Sequence, residues 1–210
     1  MSEDTVIRHG APTLAGMKTG NLFPCFFSSP QALAEELRAM NRVLVPRGLR
    51  LVPLRREKGR ALLYLFRPAA LSRDLAQEEV RRLLRQAGYR DLGQGACLAE
   101  LRRRLGAGGD FPHEIGLFLG YPPEDVAGFV RHRGKGCKCV GCWKVYGDEA
   151  AARRQFAAFK ACTANYCRRR AKGASLARLA VTTRLPQYPD PFRGRSCRSD
   201  IFRQDRPLVH

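Results

Sequence analysis

LRLVPLRREKGRALLYLF, residues 49–66, reads as a β-hairpin. Two short apolar runs, Leu49–Leu54 and Ala61–Phe66, flank the charged turn Arg56-Glu57-Lys58-Gly59. Pro53 has no N–H to give a ladder, which places the first of these strands at a sheet edge. Upstream, Ser29-Pro30 has the form of a helix start, serine as N-cap and proline in the first turn. Leu33, Leu37, Met40 and Leu44 then follow at helical spacing until Pro46 and Gly48 end the run. Downstream, a helical pattern runs from Pro68 through Leu75, Val80, Leu83 and Leu84 to a stop at Gly88. Another covers Ala96–Leu105. Phe111–Tyr121 reads as a short buried helix, and Pro122-Pro123 opens one carrying Val126, Phe129 and Val130.

Cys137–Tyr146 reads as loop becoming strand, Gly147-Asp148 as a turn with Asp148 as N-cap, and Glu149–Ala171 as the last long helix. That helix carries Phe156, Phe159, Thr163 and Tyr166 on one face. Ile7–Phe27, interrupted by Gly, Pro and Thr, reads as an ordered loop. The sum is an α+β fold, a small antiparallel sheet of about three strands covered by several helices, five to seven of them. It predicts a single α+β domain over 1–185 and a disordered basic tail over 186–210, where Pro, Arg, Ser and Asp replace apolar anchors.

The 210 residues carry a formal net charge of +19, which predicts attraction to an anionic partner. Arg-rich helices such as the one bearing Arg102, Arg103 and Arg104 equally suit a solvated face. No apolar run approaches the ~20 residues of a membrane span, so no membrane partner is expected. MSEDTVIRHG lacks the basic and apolar regions of a secretory signal. A cytoplasmic, bacterial-type protein follows, with its eight cysteines reduced and free to be apolar residues, metal ligands or redox thiols.

Three strings carry a resemblance: HGAPTLAGMKTGNLF (9–23), FPHEIGLFLGYPPEDVAGF (111–129) and GCWKVYGD (141–148). Together they resemble domain-of-unknown-function family 3793, small proteins found mainly in anaerobic bacteria. The resemblance covers roughly 5–180 and implies no particular activity.

Within the first string, His9, Thr13, Lys18, Thr19 and Asn21 form a ligand-binding candidate, since small residues let backbone N–H groups approach a phosphate while lysine supplies charge. GMKTG lacks the spacing of a phosphate-binding P-loop, and a self-satisfying loop would use the same residues. His113 and Glu114 are the candidate catalytic pair, an acid/base with an orienting carboxylate, or else a packed histidine and a capping glutamate. Adjacent helical residues point about 100° apart, so the two need different partners. H-E-x-x-H is absent, which excludes zinc-protease chemistry. Lys144 and Tyr146 share a strand face opposite Trp143, near a helix start where an anion could bind.

Cys137, Cys139 and Cys142, with Cys162 and Cys167 on the following helix, are candidate ligands for zinc or an iron–sulfur cluster. Folding back at Gly147 puts Cys142 ~15 Å and Cys162 ~20 Å from the turn by strand and helix rise. Against this, a strand points Cys137 and Cys139 away from Cys142, and five helical residues turn Cys162 and Cys167 apart. Buried or idle thiols fit as well. The basic run Arg168-Arg169-Arg170 with Arg153, Arg154 and Lys160 leaves nucleic acid as a possible partner, without any recognition motif to support it.

Three function classes therefore stand: an enzyme or binding protein for an anionic, nucleotide-like or phosphorylated small molecule; a metal or iron–sulfur protein; and a nucleic-acid-binding module. Independently of these, residues 186–210 lack core-forming periodicity. Limited proteolysis is expected to trim them and leave a core of unchanged Tm.

Overall fold

A computed structural model describes residues 1–107 and 110–182; the expected tail, 186–210, lies outside the described residues. The hairpin forms as β2 (Arg50–Glu57) and β3 (Arg60–Phe66), antiparallel, turning through Lys58 and Gly59. Gly59 takes a φ of 71°, which its missing Cβ permits. The register shifts between Pro53 and Arg55, a bulge beside the proline. A third strand, β1 (Gly20–Phe26), pairs along the other side of β3, giving the order β1-β3-β2. β2 is thus an edge strand, where Pro53 costs no ladder bond.

β3 is central and buried on both faces, which is why Ala61–Phe66 is apolar without alternation. Leu63 and Leu65 enter a core with helices α1 (Glu3–Leu14), α2 (Pro30–Leu44), α8 (Glu149–Ala171) and α9 (Leu176–Leu179). Tyr64 and Phe66 enter the opposite core, formed with α3 (Pro68–Ala76), α4 (Glu78–Gln86), α5 (Gln94–Gly106), α6 (Ile115–Phe118) and α7 (Pro123–His132). The result is three layers, helices on both faces of a small antiparallel sheet. A two-stranded hairpin, β4 (Cys139–Val140) with β5 (Lys144–Val145), covers a smaller core of Trp143, Val145, Ala152 and Phe159. α8 joins the parts through Ala152, Phe159 and Tyr166, seven residues apart on one stripe: the first two enter the small core and Tyr166 the first large one. No helix among the described residues is long and apolar enough to cross a membrane.

Two sequence expectations are corrected. Residues 7–27 are not a loop: they hold most of α1 and all of β1. The hydroxyl of Ser2 caps α1, accepting from the Thr5 amide, and Val6, Ile7, Ala11 and Leu14 are its buried face. Gly10 and Pro12 obscured it. Gly10 is there because a Cβ would sit 2.3 Å from Leu65 Cδ2, so the helix lies close against the sheet. The run from Pro68 to Gly88 is two helices, not one. Leu71 and Leu75 keep helical phase, but the five-residue step to Val80 breaks it, and Gln77 at ψ 134° ends one helix and starts the next. Among the described residues nine α-helical segments exceed the five to seven expected.

The sheet meets the end of α1, the turn after α2 and the stretch after α9 at Arg67, 2 % exposed, just past β3. Its guanidinium donates to the carbonyls of Thr13 (2.7 Å), Leu14 (2.7 Å) and Val181 (2.8 Å), and at 3.5 Å to that of Arg47. Those acceptors are the C-terminal end of α1, the turn after α2 and the stretch following α9. Arg67→Met removes the guanidinium's bonds to these carbonyls, leaving Thr13 and Leu14 only the amides of Gly16 and Val181, and is expected to cost about 3–5 kcal/mol in urea unfolding. Arg67→Lys should recover little, because one ammonium cannot span the same set.

Candidate functional site

The three strings meet at the loop between α1 and β1. On one side of Lys18, Thr13 donates its hydroxyl to Asn21 Oδ1 at 2.7 Å; on the other, Thr19 donates to Asp74 Oδ2 at 2.5 Å. Thr19 also packs on Gly120, where an added Cβ would lie 2.8 Å from its hydroxyl. Lys18 then extends over the Tyr121 ring, with Nζ 4.9 Å from the centroid. Tyr121 stacks on Trp143 at 4.8 Å and donates its hydroxyl to the Cys142 carbonyl at 3.0 Å. Trp143 meets Phe156 of α8 edge-on at 4.5 Å. The first string supplies the cation, the second the tyrosine and the third the tryptophan.

The far end of this stack is held by Asp125, buried on α7. One carboxylate oxygen accepts from Trp143 Nε1 at 2.7 Å, and the other from the amides of Tyr146 and Gly147 at 2.7 Å each. A buried carboxylate with three donors ties α7 to the β4–β5 hairpin.

Lys18 is half-buried and, among the described residues, has neither a carboxylate nor a hydrogen-bond acceptor. Burial lowers its ammonium pKa to about 8, partly opposed by the nearby Cys142. Burial pushes Tyr121 up to about 12, and raises Asp74 against the bond from Thr19 and the charge of Arg73. Asp74 is therefore committed to holding the loop, and among the described residues no carboxylate pairs with the Lys18 ammonium.

The other expected site residues divide. His9 is exposed and stacks on Phe23 at 5.3 Å, while Thr13 and Asn21 bond each other. His113 packs on Phe129 at 4.8 Å; Lys144 lies over that ring at 5.7 Å and donates to the Gly134 carbonyl at 2.8 Å. Glu114 turns elsewhere, accepting from Tyr89 at 3.1 Å and Arg104 at 3.3 Å, so the His113–Glu114 pair has no common partner. Tyr146 stacks on His132 at 5.6 Å with its hydroxyl buried and unpartnered.

Nor are the cysteines gathered. Cys139 packs on the small core and Cys162 on the first large core. Cys142 lies near Lys18 and Tyr121, and Cys137 near Tyr146. Among the described residues no group of three or more His, Cys, Asp or Glu is placed to hold a metal ion. The hairpin turn between β4 and β5 is what sends the thiols different ways.

Sequence reasoning missed Asp74, Tyr121 and Asp125. Tyr121 and Asp125 lie inside a quoted string, yet nothing local marks a tyrosine as a lysine's platform or a first-turn aspartate as buried. An open groove of about 630 Å³ elsewhere, lined by Arg90, Asp91, Glu100, Arg103 and Arg104 among others, is a weaker candidate despite its size. Glu100 already engages Arg103 at 2.7 Å and Arg104 at 2.8 Å.

These features define a three-layer α+β protein with a lysine that lacks a carboxylate partner among the described residues, where three sequence-remote segments join. The chain belongs to the family described as proteins of unknown function, DUF3793, whose model matches residues 6–180. No curated protein and no solved structure matches the chain.

Asp125→Ala strips three buried donors of their acceptor and is expected to destabilise the protein by about 2–4 kcal/mol. Trp143 is the sole tryptophan of the sequence. Its emission should shift to the red in the variant as the hairpin loosens, before global unfolding in a urea titration.

Proposed function

We propose that the chain binds an anionic small molecule, phosphorylated or nucleotide-like, in the cytoplasm, with Lys18 as the residue that contacts its charge. One observation carries the reading: a half-buried ammonium with no carboxylate partner among the described residues stands where the three strings converge. Desolvating a cation without a partner costs free energy, and a bound anion offsets that cost. Thr19 and Asn21 hold the loop, and Tyr121 gives the ammonium a fixed platform. Lys144 and His113 flank Phe129, on the helix that follows Tyr121, and would serve the outer part of a larger ligand.

Thermal shift against pyrophosphate, nucleoside triphosphates and citrate tests the proposal. A ligand at a hundred times its Kd contributes about 2.7 kcal/mol. For a chain of this size that is roughly 5–10 °C in Tm. Lys18→Ala should abolish the shift. The absence of a shift with every anion, or a shift unchanged in the variant, defeats the reading.

The pH dependence has two opposite signs. The folded pKa of Lys18, about 8, lies below its ordinary value of 10.5, so the free folded protein releases this proton first. Its contribution to the stability of the free protein therefore rises as pH climbs through about 8, and levels off above 10.5. Anion binding needs the ammonium, so affinity should hold below pH 8 and fall about tenfold per unit above it. Isothermal titration at pH 7, 8 and 9 reads the second slope.

A further inference from the structure

From Val126 to Gly147 the chain has no carboxylate, while Arg131, Arg133, Lys135, Lys138 and Lys144 lie within that stretch. The flanking acids do not compensate. Asp125 is buried on Trp143, Tyr146 and Gly147, and Asp148 caps α8 through the Ala151 amide. Several arginines elsewhere have a carboxylate close by in sequence or space: Arg82 with Glu79, Arg103 with Glu100, Arg153 with Glu149, Arg170 with Glu3 and Asp4. Here Arg131, Arg133 and Lys135 are exposed and have no partner among the described residues. Lys138 and Lys144 donate only to the neutral carbonyls of Gly147 and Gly134.

The loop bearing these charges is fixed in place. Gly134 donates to the Phe129 carbonyl, Lys135 to that of His132 and Lys138 to that of Val145. Arg133 ends α7 at φ 50°, the one non-glycine residue at positive φ among the described residues. Glycine would occupy that position with about 1 kcal/mol less strain. The fold thus keeps a cation at a position where the backbone favours glycine. Beside it, His132 is exposed and stacks nearly flat on Tyr146, with an interplanar angle of 14°. Tyr146 in turn lies so close to Gly128 that a Cβ there would be 2.4 Å from its ring. The imidazole of the exposed His132 is thus backed on one face by a ring that is itself packed against the helix.

We propose that the 131–138 loop binds single-stranded nucleic acid, its cations tracking the phosphates and His132 stacking an unpaired base. Cationic grooves with an aromatic platform bind single strands with little sequence preference, and a base inside a duplex could not reach the imidazole face. Among the described residues, Val130 and Val140 are the exposed large aliphatic residues in sequence next to the loop, at 53 % and 68 %, too few to anchor it in a bilayer. The surface adjoins the outer part of the Lys18 site at Lys144, which bonds Gly134 within the loop, but needs neither Lys18 nor a recognition helix.

Fluorescence anisotropy with the full chain and labelled fifteen-nucleotide dT and rU oligomers tests it. Four phosphate contacts predict a slope of about −3 in log K against log salt. Replacing Arg131→Ala, Arg133→Gly and Lys135→Ala together should weaken binding at least tenfold and flatten the slope by about 2. His132→Ala should weaken it several-fold and leave the slope unchanged. A variant of equal charge loss on α8, with Lys160, Arg168 and Lys172 changed to alanine, should keep nearly full affinity. Equal losses in the two triple variants would mean net charge alone attracts the strand and would overturn the proposal. It is equally overturned if the loop triple variant binds like the original chain, or if anionic vesicles are bound and oligomers are not. Lys18→Ala should leave oligomer binding intact, so the two sites succeed or fail separately.

Discussion

The structure depends on a guanidinium buried where the sheet meets the end of α1 and the stretch after α9. Arg67 follows the central strand directly, and its side chain collects carbonyls from Thr13, Leu14, Arg47 and Val181. Its own amide donates to the Thr19 carbonyl at 2.9 Å. A buried charge is tolerable only when its donors are satisfied, and a planar fork of five N–H groups suits several diverging carbonyls. Burial lowers its pKa, but a guanidinium starts so high that it stays charged. The end of α1 is thereby fixed against β3, and the Lys18 loop starts and finishes on atoms that Arg67 holds.

A second constraint carries this order to the hairpin. Asp125 takes three donors from the residues flanking β5, Trp143 before it and Tyr146 and Gly147 after it; Trp143 lies between Tyr121 and Phe156, and Tyr121 supports Lys18. Each contact is modest alone, about 0.5–1.5 kcal/mol for an aromatic pair. In series they connect a loop near residue 18, a helix start near 122 and a hairpin near 143 into one surface. α8 backs the stack at Phe156 and reaches the first core at Tyr166, so hairpin and sheet share one rigid helix.

The positive charge of the chain is also distributed with two physical characters. Lys18 is a single desolvated cation, little screened by salt and sensitive to pH near 8. Arg131, Arg133 and Lys135 are solvated and strongly screened, as counter-ion exchange with a polyanion requires. Arg-rich α5 belongs to neither kind, because Glu100 and Glu114 engage Arg103 and Arg104. Net charge alone cannot separate these three environments.

What the residues determined by themselves is local. The 49–66 hairpin, the Ser29-Pro30 helix start, the Asp148 cap and the helix from Glu149 to Ala171 each rest on neighbours within a few turns, and each was legible. α1 was not, because Gly10 and Pro12 look like breakers until Leu65 is seen 2.3 Å from where a Cβ would be. The break at Gln77 was hidden in a five-residue phase step that composition does not reveal. The meeting of Lys18 with Tyr121 and of Asp125 with Trp143 was decided only by tertiary structure, as was the parting of His113 from Glu114 and of Cys139 from Cys162. Periodicity and capping act over one to four residues, whereas these relations depend on which helix covers which face of the sheet. Packing sets that, with Arg67 and Asp125 as its polar ties.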